Sequence, residues 1–128
     1  THDFRTTGTK TVTITAGGNP TPSASVTVTV KDFSLLGSLS ISGKAVSDYN
    51  LYLTPAFSPT TTSYTLIQGS SHAMSNFTIT INAAAAESGH AAVSGAGSNW
   101  NNGSGIRQIT VTPDAGYGAA RTYTINGL

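Results

Sequence analysis

The chain has 128 residues, a net charge of +1 and a charged fraction of only 9%, whereas about 25% is usual. This composition lacks the basic stripe that would neutralise nucleic-acid phosphates or dock on an acidic membrane surface, so it argues against both partners. No apolar run approaches the roughly 20 residues of a membrane-spanning helix. We therefore also expect no membrane insertion.

Length and cysteine usage limit the setting of the protein. The chain is long enough for one β-sandwich of about 100 residues and a remainder. Cysteine is absent, which fits an extracellular bacterial or virion protein that does not use disulfides but fits a cytosolic protein as well. The chain starts at Thr1 with neither an initiator Met nor a signal peptide, so we expect a processed chain or a fragment.

Two alternating segments predict an N-terminal β-hairpin. Residues 9–15 and 23–30 alternate polar and apolar side chains, the period of a strand with one apolar face. The run between them is rich in glycine and proline, as turns are. Because two strands are marginal in water, the apolar face needs a cover. Its residues are Val12 and Ile14 in the first strand and Val26, Val28 and Val30 in the second.

This N-terminal part resembles the end of a PKD-like or other bacterial immunoglobulin-like domain. The residues that carry the resemblance are His2-Asp3-Phe4, the strand Thr7–Ile14 and the strand Val26–Val30. The resemblance implies that residues 1–32 are the C-terminal hairpin of an incomplete immunoglobulin-like domain. The missing strands would then belong upstream or to another chain.

The remaining residues predict an all-β domain over 33–128. The stretch 44–52 is interpreted as a loop or an edge segment, and the stretch 97–105 as a loop. The four alanines from Ala83 are expected to end a strand and enter a loop, with a single helical turn as the alternative, because isolated helices shorter than about 12 residues are marginal. Strands are predicted at 36–42, 63–66, 77–81, 91–95, 107–113 and 121–126, the last two as a hairpin.

A proline-rich stretch is the most specific feature of this domain. Pro55 and Pro59 each remove a backbone donor and fix φ, so the chain before Thr61 is expected to form neither helix nor central strand. Phe57 is expected to be a buried anchor, and truncating it to alanine to cost about 3–5 kcal/mol. Tyr64 then begins a strand.

From Leu36 onwards the chain resembles the cadherin-like β-sandwich domain of bacterial surface and secreted proteins. The resemblance rests on the block Leu53–Tyr64, on Leu36-x-x-Leu39-x-Ile41-Ser42, and on Val111–Gly116 leading to Arg121–Ile125. It implies an immunoglobulin-like or cadherin-like antiparallel sandwich, located extracellularly, with neighbouring β-sandwich domains as partners. Phe57, Tyr64 and Tyr123 would be structural residues.

The sequence offers little for catalysis or metal binding. Its three histidines and five acidic residues form no recognisable nucleophile motif. Zinc and calcium sites need clustered ligands. We therefore expect a protein that is not an enzyme and needs no cofactor. An intramolecular bond from Lys10, Lys31 or Lys44 to Asn126, with Glu87 as the acidic helper, is a further hypothesis, with solvated lysines as the favoured alternative.

Trp100 is the residue that most suggests a ligand. It lies in a run of amides, and an exposed indole among asparagines suits a sugar, because the ring covers C–H surface while amides bond hydroxyls. The alternative is that Trp100 folds back as a lid on the core, and it is the favoured one because large aromatic residues usually end up mostly buried. The candidate ligand-binding residues are Asn99, Trp100, Asn101 and Asn102.

Three functions follow from these features. The first is a structural or adhesive module of a multi-domain bacterial surface or secreted protein. The second is a carbohydrate-binding module that uses the Trp100 loop to hold a cell-surface glycan. The third is a virion subunit (phage tail or decoration) or a filament subunit, in which the N-terminal hairpin exchanges strands with a neighbour.

Overall fold

The computed structural model describes residues 8–15, 17, 23–71 and 73–128, and the chain divides into two compact units, residues 1–32 and residues 33–128. In the first unit, strands β1 (Gly8–Thr15) and β2 (Ser23–Val30) form an antiparallel pair, in register from Gly8 opposite Val30 to Thr15 opposite Ser23. The predicted hairpin is confirmed. The His2-Asp3-Phe4 motif, His72 and all of the predicted turn except Gly17 lie outside the described residues.

The second unit is an all-β sandwich, as the alternating pattern predicts. A five-stranded sheet has the order β4-β5-β10-β9-β7, and a three-stranded sheet has the order β3-β6-β8. All pairs are antiparallel except β5 and β10, which run parallel. The elements are β3 (Leu36–Ser42), helix α1 (Lys44–Asp48), β4 (Leu51–Thr54), β5 (Ser63–Gln68), β6 (Thr78–Ala85), a 3₁₀ turn (Ser88–His90), β7 (Ala91–Ser94), β8 (Gly97–Asn101), β9 (Ile106–Pro113) and β10 (Arg121–Asn126).

Two loop predictions are wrong in part: β4 lies at the edge of its sheet, as the edge-segment alternative for 44–52 implies, and residues 102–105 are in neither helix nor strand. Residues 44–52 contain helix α1 and the start of β4. Residues 97–101 form strand β8, which pairs with β6, because the backbone of β6 supplies hydrogen-bond partners that the glycine- and asparagine-rich composition does not reveal. The alanine run behaves as predicted, since β6 continues to Ala85.

The facing sides of the two sheets form one hydrophobic core. The smaller sheet contributes Ile79, Ile81 and Trp100, and the larger sheet contributes residues of β5, β9 and β10 such as Leu66 and Ile109, all of them 2% exposed or less. Alternation along β9 and β10 puts every second residue inside, which explains why these strands are readable from sequence.

Two buried tyrosines hold the proline-rich segment to the sandwich. The Tyr64 hydroxyl donates to the carbonyl of Ser58 at 2.9 Å and accepts from the Ser58 N–H at 3.2 Å. The Tyr123 hydroxyl donates to the carbonyl of Pro59 and accepts from the Leu36 N–H at 3.0 Å. Tyr64 and Tyr123 are 1% and 0% exposed, so these bonds satisfy phenol groups that would otherwise be buried without partners. We call these four bonds the tyrosine tie.

The sequence predicts Phe57 to be a buried anchor, and its side chain does pack against the core, but without being fully buried. Its ring is half-buried and stacks on Tyr64 with the ring centres 6.4 Å apart. It borders an open apolar hollow of about 280 Å³ between β3 and β4, which Ile41 and Leu53 also line. The cis peptide bond between Thr54 and Pro55 precedes it.

The second unit has two distinct ends, which we call proximal and distal. At the proximal end, Arg121 Nε donates to Ser34 Oγ at 3.1 Å, and Tyr123 contacts Leu36, so the start of β10 lies beside the start of the unit. At the distal end, the Leu128 N–H donates to the Gly103 carbonyl at 2.8 Å. Strand β10 therefore runs from the point where the chain enters the unit to the opposite end.

Candidate functional site

Two adjoining hollows form a groove at the distal end of the second unit, and we call it the end groove. One hollow has a volume of about 410 Å³ and the other about 400 Å³. Asn76, Phe77 and Thr78 line both. Asn101 and Asn102 complete the first hollow. The second is completed by Ser75, which precedes β6, and by residues in and next to α1, namely Lys44, Ala45, Asp48 and Tyr49.

Two half-buried aromatic rings form the centre of the end groove. The ring centres of Tyr49 and Phe77 are 5.5 Å apart and the rings are inclined by 50°. Each packs one side against the core. The Tyr49 hydroxyl and Ser75 Oγ share a hydrogen bond of 3.3 Å, and the Ser75 N–H donates to the same hydroxyl at 3.4 Å. The rings are thus fixed, with part of their surface facing outward.

The amides of the end groove are oriented by the backbone beneath them. Asn102 Oδ1 accepts the Phe77 N–H at 3.0 Å, while the Asn102 N–H donates to the Phe77 carbonyl at 2.9 Å. Asn101 Oδ1 accepts the Thr78 hydroxyl at 3.4 Å. Since the oxygens are engaged, the NH₂ groups of both side chains are the donors left for a ligand. Within the described part of the chain, the exposed Asn76 side chain makes no hydrogen bond.

The turn that carries Asn102 is pinned from below. Asn102 has φ 55°, a left-handed conformation that asparagine tolerates better than most residues. Gly103 follows at φ 59°, and a Cβ there would lie 2.7 Å from a methyl carbon of Leu66, so any other residue would be strained and would have to displace that side chain. Trp100 Nε1 donates to the Ser104 carbonyl at 2.9 Å, which fixes the far side of the same turn.

The charges at the end groove offset each other. Lys44 Nζ pairs with Asp48 Oδ2 one helical turn away. The hydrogen bond to Asp48 raises the pKa of the Lys44 ammonium above its usual range. Hydrogen bonds from the Ser75 side chain and backbone lower the pKa of the Tyr49 phenol. The site therefore offers a neutral ion pair, hydroxyls and amides beside aromatic surface.

The structure separates the residues that the sequence grouped around Trp100. Trp100 is 1% exposed and belongs to the core, so the interpretation of its ring as an exposed sugar platform is wrong, and the core-lid alternative describes its place. Asn101 and Asn102 line the end groove. Asn99 does not, because its Oδ1 accepts Arg107 Nη2 at 2.7 Å. Trp100 supports the groove by positioning its turn.

Sequence reasoning did not identify the aromatic part of the end groove. Tyr49 and Phe77 are 28 positions apart in the chain and meet only because α1 packs near the start of β6. The Asn76-Phe77-Thr78 and Asn102-Gly103-Ser104 triplets, which match the glycosylation pattern, were the available signal, since both asparagines line the first hollow.

A second aromatic cluster lies at the proximal end. The His90 ring stacks on Tyr117 at 4.0 Å, and Phe33 contacts both rings edge-on. His90 Nδ1 is 3.4 Å from Asp114 Oδ2. The described residues contain no group of three or more histidines or carboxylates that could hold a metal ion. This cluster therefore consists of packed rings with one histidine–carboxylate contact.

The lysine partners considered for an intramolecular bond do not meet at Lys44. Lys44 contacts Asp48, whereas Asn126 Nδ2 donates to the Tyr64 carbonyl at 3.3 Å. The side chain of Lys10 lies outside the described residues.

Comparison with known proteins gives no relative: no family model, curated protein or solved structure matches the chain. The cadherin-like and PKD-like resemblances thus stay predictions. Among the residues that the structure describes, no helix has the length and apolar character needed to span a membrane.

Proposed function

We propose that this chain is a non-catalytic structural and adhesive β-sandwich module of an extracellular, multi-domain bacterial protein. The observation that carries the proposal is the position of the two ends of the second unit. The chain enters beside the start of β10 and leaves beyond its other end. A module with this geometry extends a linear array, because its neighbours attach at opposite ends.

The central strand suits a module that carries tension. β10 lies between β5 and β9, with a parallel partner on one side and an antiparallel partner on the other. Hydrogen bonds run across the strand direction, perpendicular to it in the antiparallel pair with β9 and slanted in the parallel pair with β5. Pulling the ends of the unit apart therefore shears β10 against β5 and β9. The hydrogen bonds on both sides of the strand bear the force together, over a strand length of about 20 Å.

The tyrosine tie strengthens the same path. Tyr123 joins β10 to the carbonyl of Pro59 and to the first residue of β3, and Arg121 joins it to Ser34. The residues of the most specific sequence stretch thus serve the scaffold, which supports a structural role.

Single-molecule pulling of the full chain through its two termini tests the proposal. We expect the second unit to unfold in one step with a gain in length of roughly 300 Å, the extended span of its chain less the length of the folded unit. Adding a chelator should not change the unfolding force, because the resistance comes from strand shear. Gradual extension without a force peak would contradict a structural role.

A second candidate function, assembly by strand exchange, is favoured by one observation. Val26 in β2 is 50% exposed although it alternates with threonine as a core-facing residue would. An exposed apolar strand face needs a cover, which a neighbouring chain would supply if its strands complete the sheet around the hairpin. Light scattering over a range of concentrations tests it: oligomers that Val26→Thr dissolves support it, and a monodisperse monomer at all concentrations contradicts it.

A further inference from the structure

We propose that the end groove is a binding site for a neutral glycan. The sugar would rest on the outward surfaces of Phe77 and Tyr49, and its hydroxyls would bond the amides of Asn76, Asn101 and Asn102. The site deepens the adhesive part of the proposed function, on which it rests, whereas resistance to force does not depend on it.

The size of the groove fits a short stretch of sugar rings. Its two hollows have volumes of about 410 and 400 Å³ and share three lining residues. Ligand pockets usually have volumes of about 300–1,000 Å³. The hollows adjoin across Asn76–Thr78, so one extended ligand can occupy both.

The chemistry of the lining matches a sugar more closely than an apolar ligand. A sugar ring has an apolar C–H face and a rim of hydroxyls. The groove presents two aromatic rings with one side outward and surrounds them with amides and hydroxyls. Aromatic side chains supply large contact area at little cost in conformational entropy.

The exposed polar atoms of the groove that make no hydrogen bond within the described residues are suited to bond a sugar hydroxyl. Asn102 and Asn101 use Oδ1 within the protein and retain their NH₂ donors. Asn76 retains both its donor and its acceptor within the described part of the chain. Sugar hydroxyls both donate and accept, so they can satisfy this mixed set.

The charge of the groove selects a neutral ligand. Lys44 and Asp48 neutralise each other within the lining. An acidic glycan would face Asp48, and a cationic ligand would face Lys44. A neutral glycan meets neither repulsion, and its hydroxyls can bond the outer atoms of the pair.

The turn that borders the groove is held by contacts within the protein. Gly103 packs on Leu66, Trp100 holds the Ser104 carbonyl, and Leu128 donates to the Gly103 carbonyl. A site that is held in place loses less conformational entropy on binding.

Titration of the ¹⁵N-labelled full chain with neutral oligosaccharides, followed by NMR, tests the inference. The probes are cellohexaose, maltoheptaose, xylohexaose, mannohexaose and chitohexaose, each added up to 10 mM. With at least one probe, we expect saturable shifts confined to the backbone amides of residues 44–49, 75–78 and 101–103 and to the side-chain amides of Asn76, Asn101 and Asn102.

Three variants make the test specific. Asn76→Ala should weaken binding by about 5-fold, the effect of losing one net hydrogen bond of about 1 kcal/mol. Phe77→Leu keeps an apolar side chain against the core but removes the aromatic face, so binding should fall while the melting temperature holds. Asn99→Ala is the matched control, since Asn99 lies outside the groove, and should bind as the parent does.

Either of two results would overturn the inference. One is the absence of saturable groove shifts with all five probes. The other is binding that maps elsewhere, or that Asn99→Ala weakens as much as Asn76→Ala does. If uncharged peptides bind in the groove but none of the five oligosaccharides does, the glycan inference is likewise overturned. The pulling experiment is unaffected by these outcomes, so failure of the glycan site and failure of the structural role can be told apart.

Discussion

The tyrosine tie and the end groove place the same kind of side chain in opposite roles. In the tie, Tyr64 and Tyr123 are buried, and both hydroxyls bond backbone groups of a neighbouring segment. In the groove, Tyr49 is half-buried and its hydroxyl meets only Ser75 among the bonds of the described residues. The tyrosines of the tie therefore differ from the tyrosine of the end groove in where the hydroxyl finds its partner.

The contrast extends to the surroundings of each region. The tie holds a segment restrained by two prolines, so its parts have little freedom before folding. The groove is built from exposed amides at a turn. Substitutions at the tie should thus change stability, and substitutions at the groove should change binding alone.

Trp100→Ala should have the largest effect on stability. The substitution removes a fully buried indole and its bond to the Ser104 carbonyl, and we expect a loss of about 3–5 kcal/mol in the free energy of unfolding. Denaturant unfolding measures it. A loss below about 1 kcal/mol would mean that Trp100 is not part of the core.

Phe57→Ala should cost about 2–3 kcal/mol, less than the roughly 3–5 kcal/mol of a fully buried phenylalanine. The ring stacks on Tyr64 but borders an open hollow, so less buried surface is lost than the sequence-based expectation assumed. Equilibrium unfolding of the variant beside the parent gives the value. A cost as large as that of Trp100→Ala would show the ring to be fully buried.

Tyr123→Phe should cost about 1–3 kcal/mol, because it leaves the buried Leu36 N–H without its acceptor. The ring and its packing are kept, so the effect reports on the hydroxyl alone. The same measurement on Tyr64→Phe should give a loss of similar size, since Tyr64 also makes two bonds. Unchanged stability in both variants would show that the tyrosine tie does not stabilise the fold.

Tyr49→Phe is the matched substitution in the groove and should leave the unfolding midpoint unchanged. Its readout is the alkaline titration followed at 295 nm. Since Ser75 lowers the pKa of Tyr49, this phenol should ionise at lower pH than an ordinary tyrosine, whose pKa is about 10. The folded protein then favours the ionised phenol. This contribution to stability is present above the ordinary pKa of the unfolded chain and is lost as the pH falls through the lower pKa of the folded protein. If the variant retains the early-ionising component, Tyr49 is not its source.

The sequence predicted the fold class because its strands alternate strictly. Arg121–Asn126 and Ile106–Pro113 place every second residue in the core, a period that no helix shares. Helix α1 was missed because five residues carry too few periodic positions to be read. Strand β8 was missed because its glycine and asparagine residues favour loops and only pairing with β6 makes them a strand.

The candidate site was harder to predict than the fold. The amides around Trp100 suggested an exposed ring, but the side chain faces inward between Asn99 and Asn101 on a strand. The groove joins residues 44–49, 75–78 and 101–102, which the sandwich alone brings together. Composition carries no information on such distant neighbours.

Pulling the second unit in two directions tests the central claim most directly. In one arrangement, force acts through the two termini and shears β10. In the other, it acts between a Ser104→Cys attachment and Leu128, which both lie at the distal end, so β10 is peeled from β9 one bond at a time. We expect a clearly higher unfolding force in the first arrangement, because its hydrogen bonds break together. Equal forces in both directions would contradict a module built to carry tension along β10.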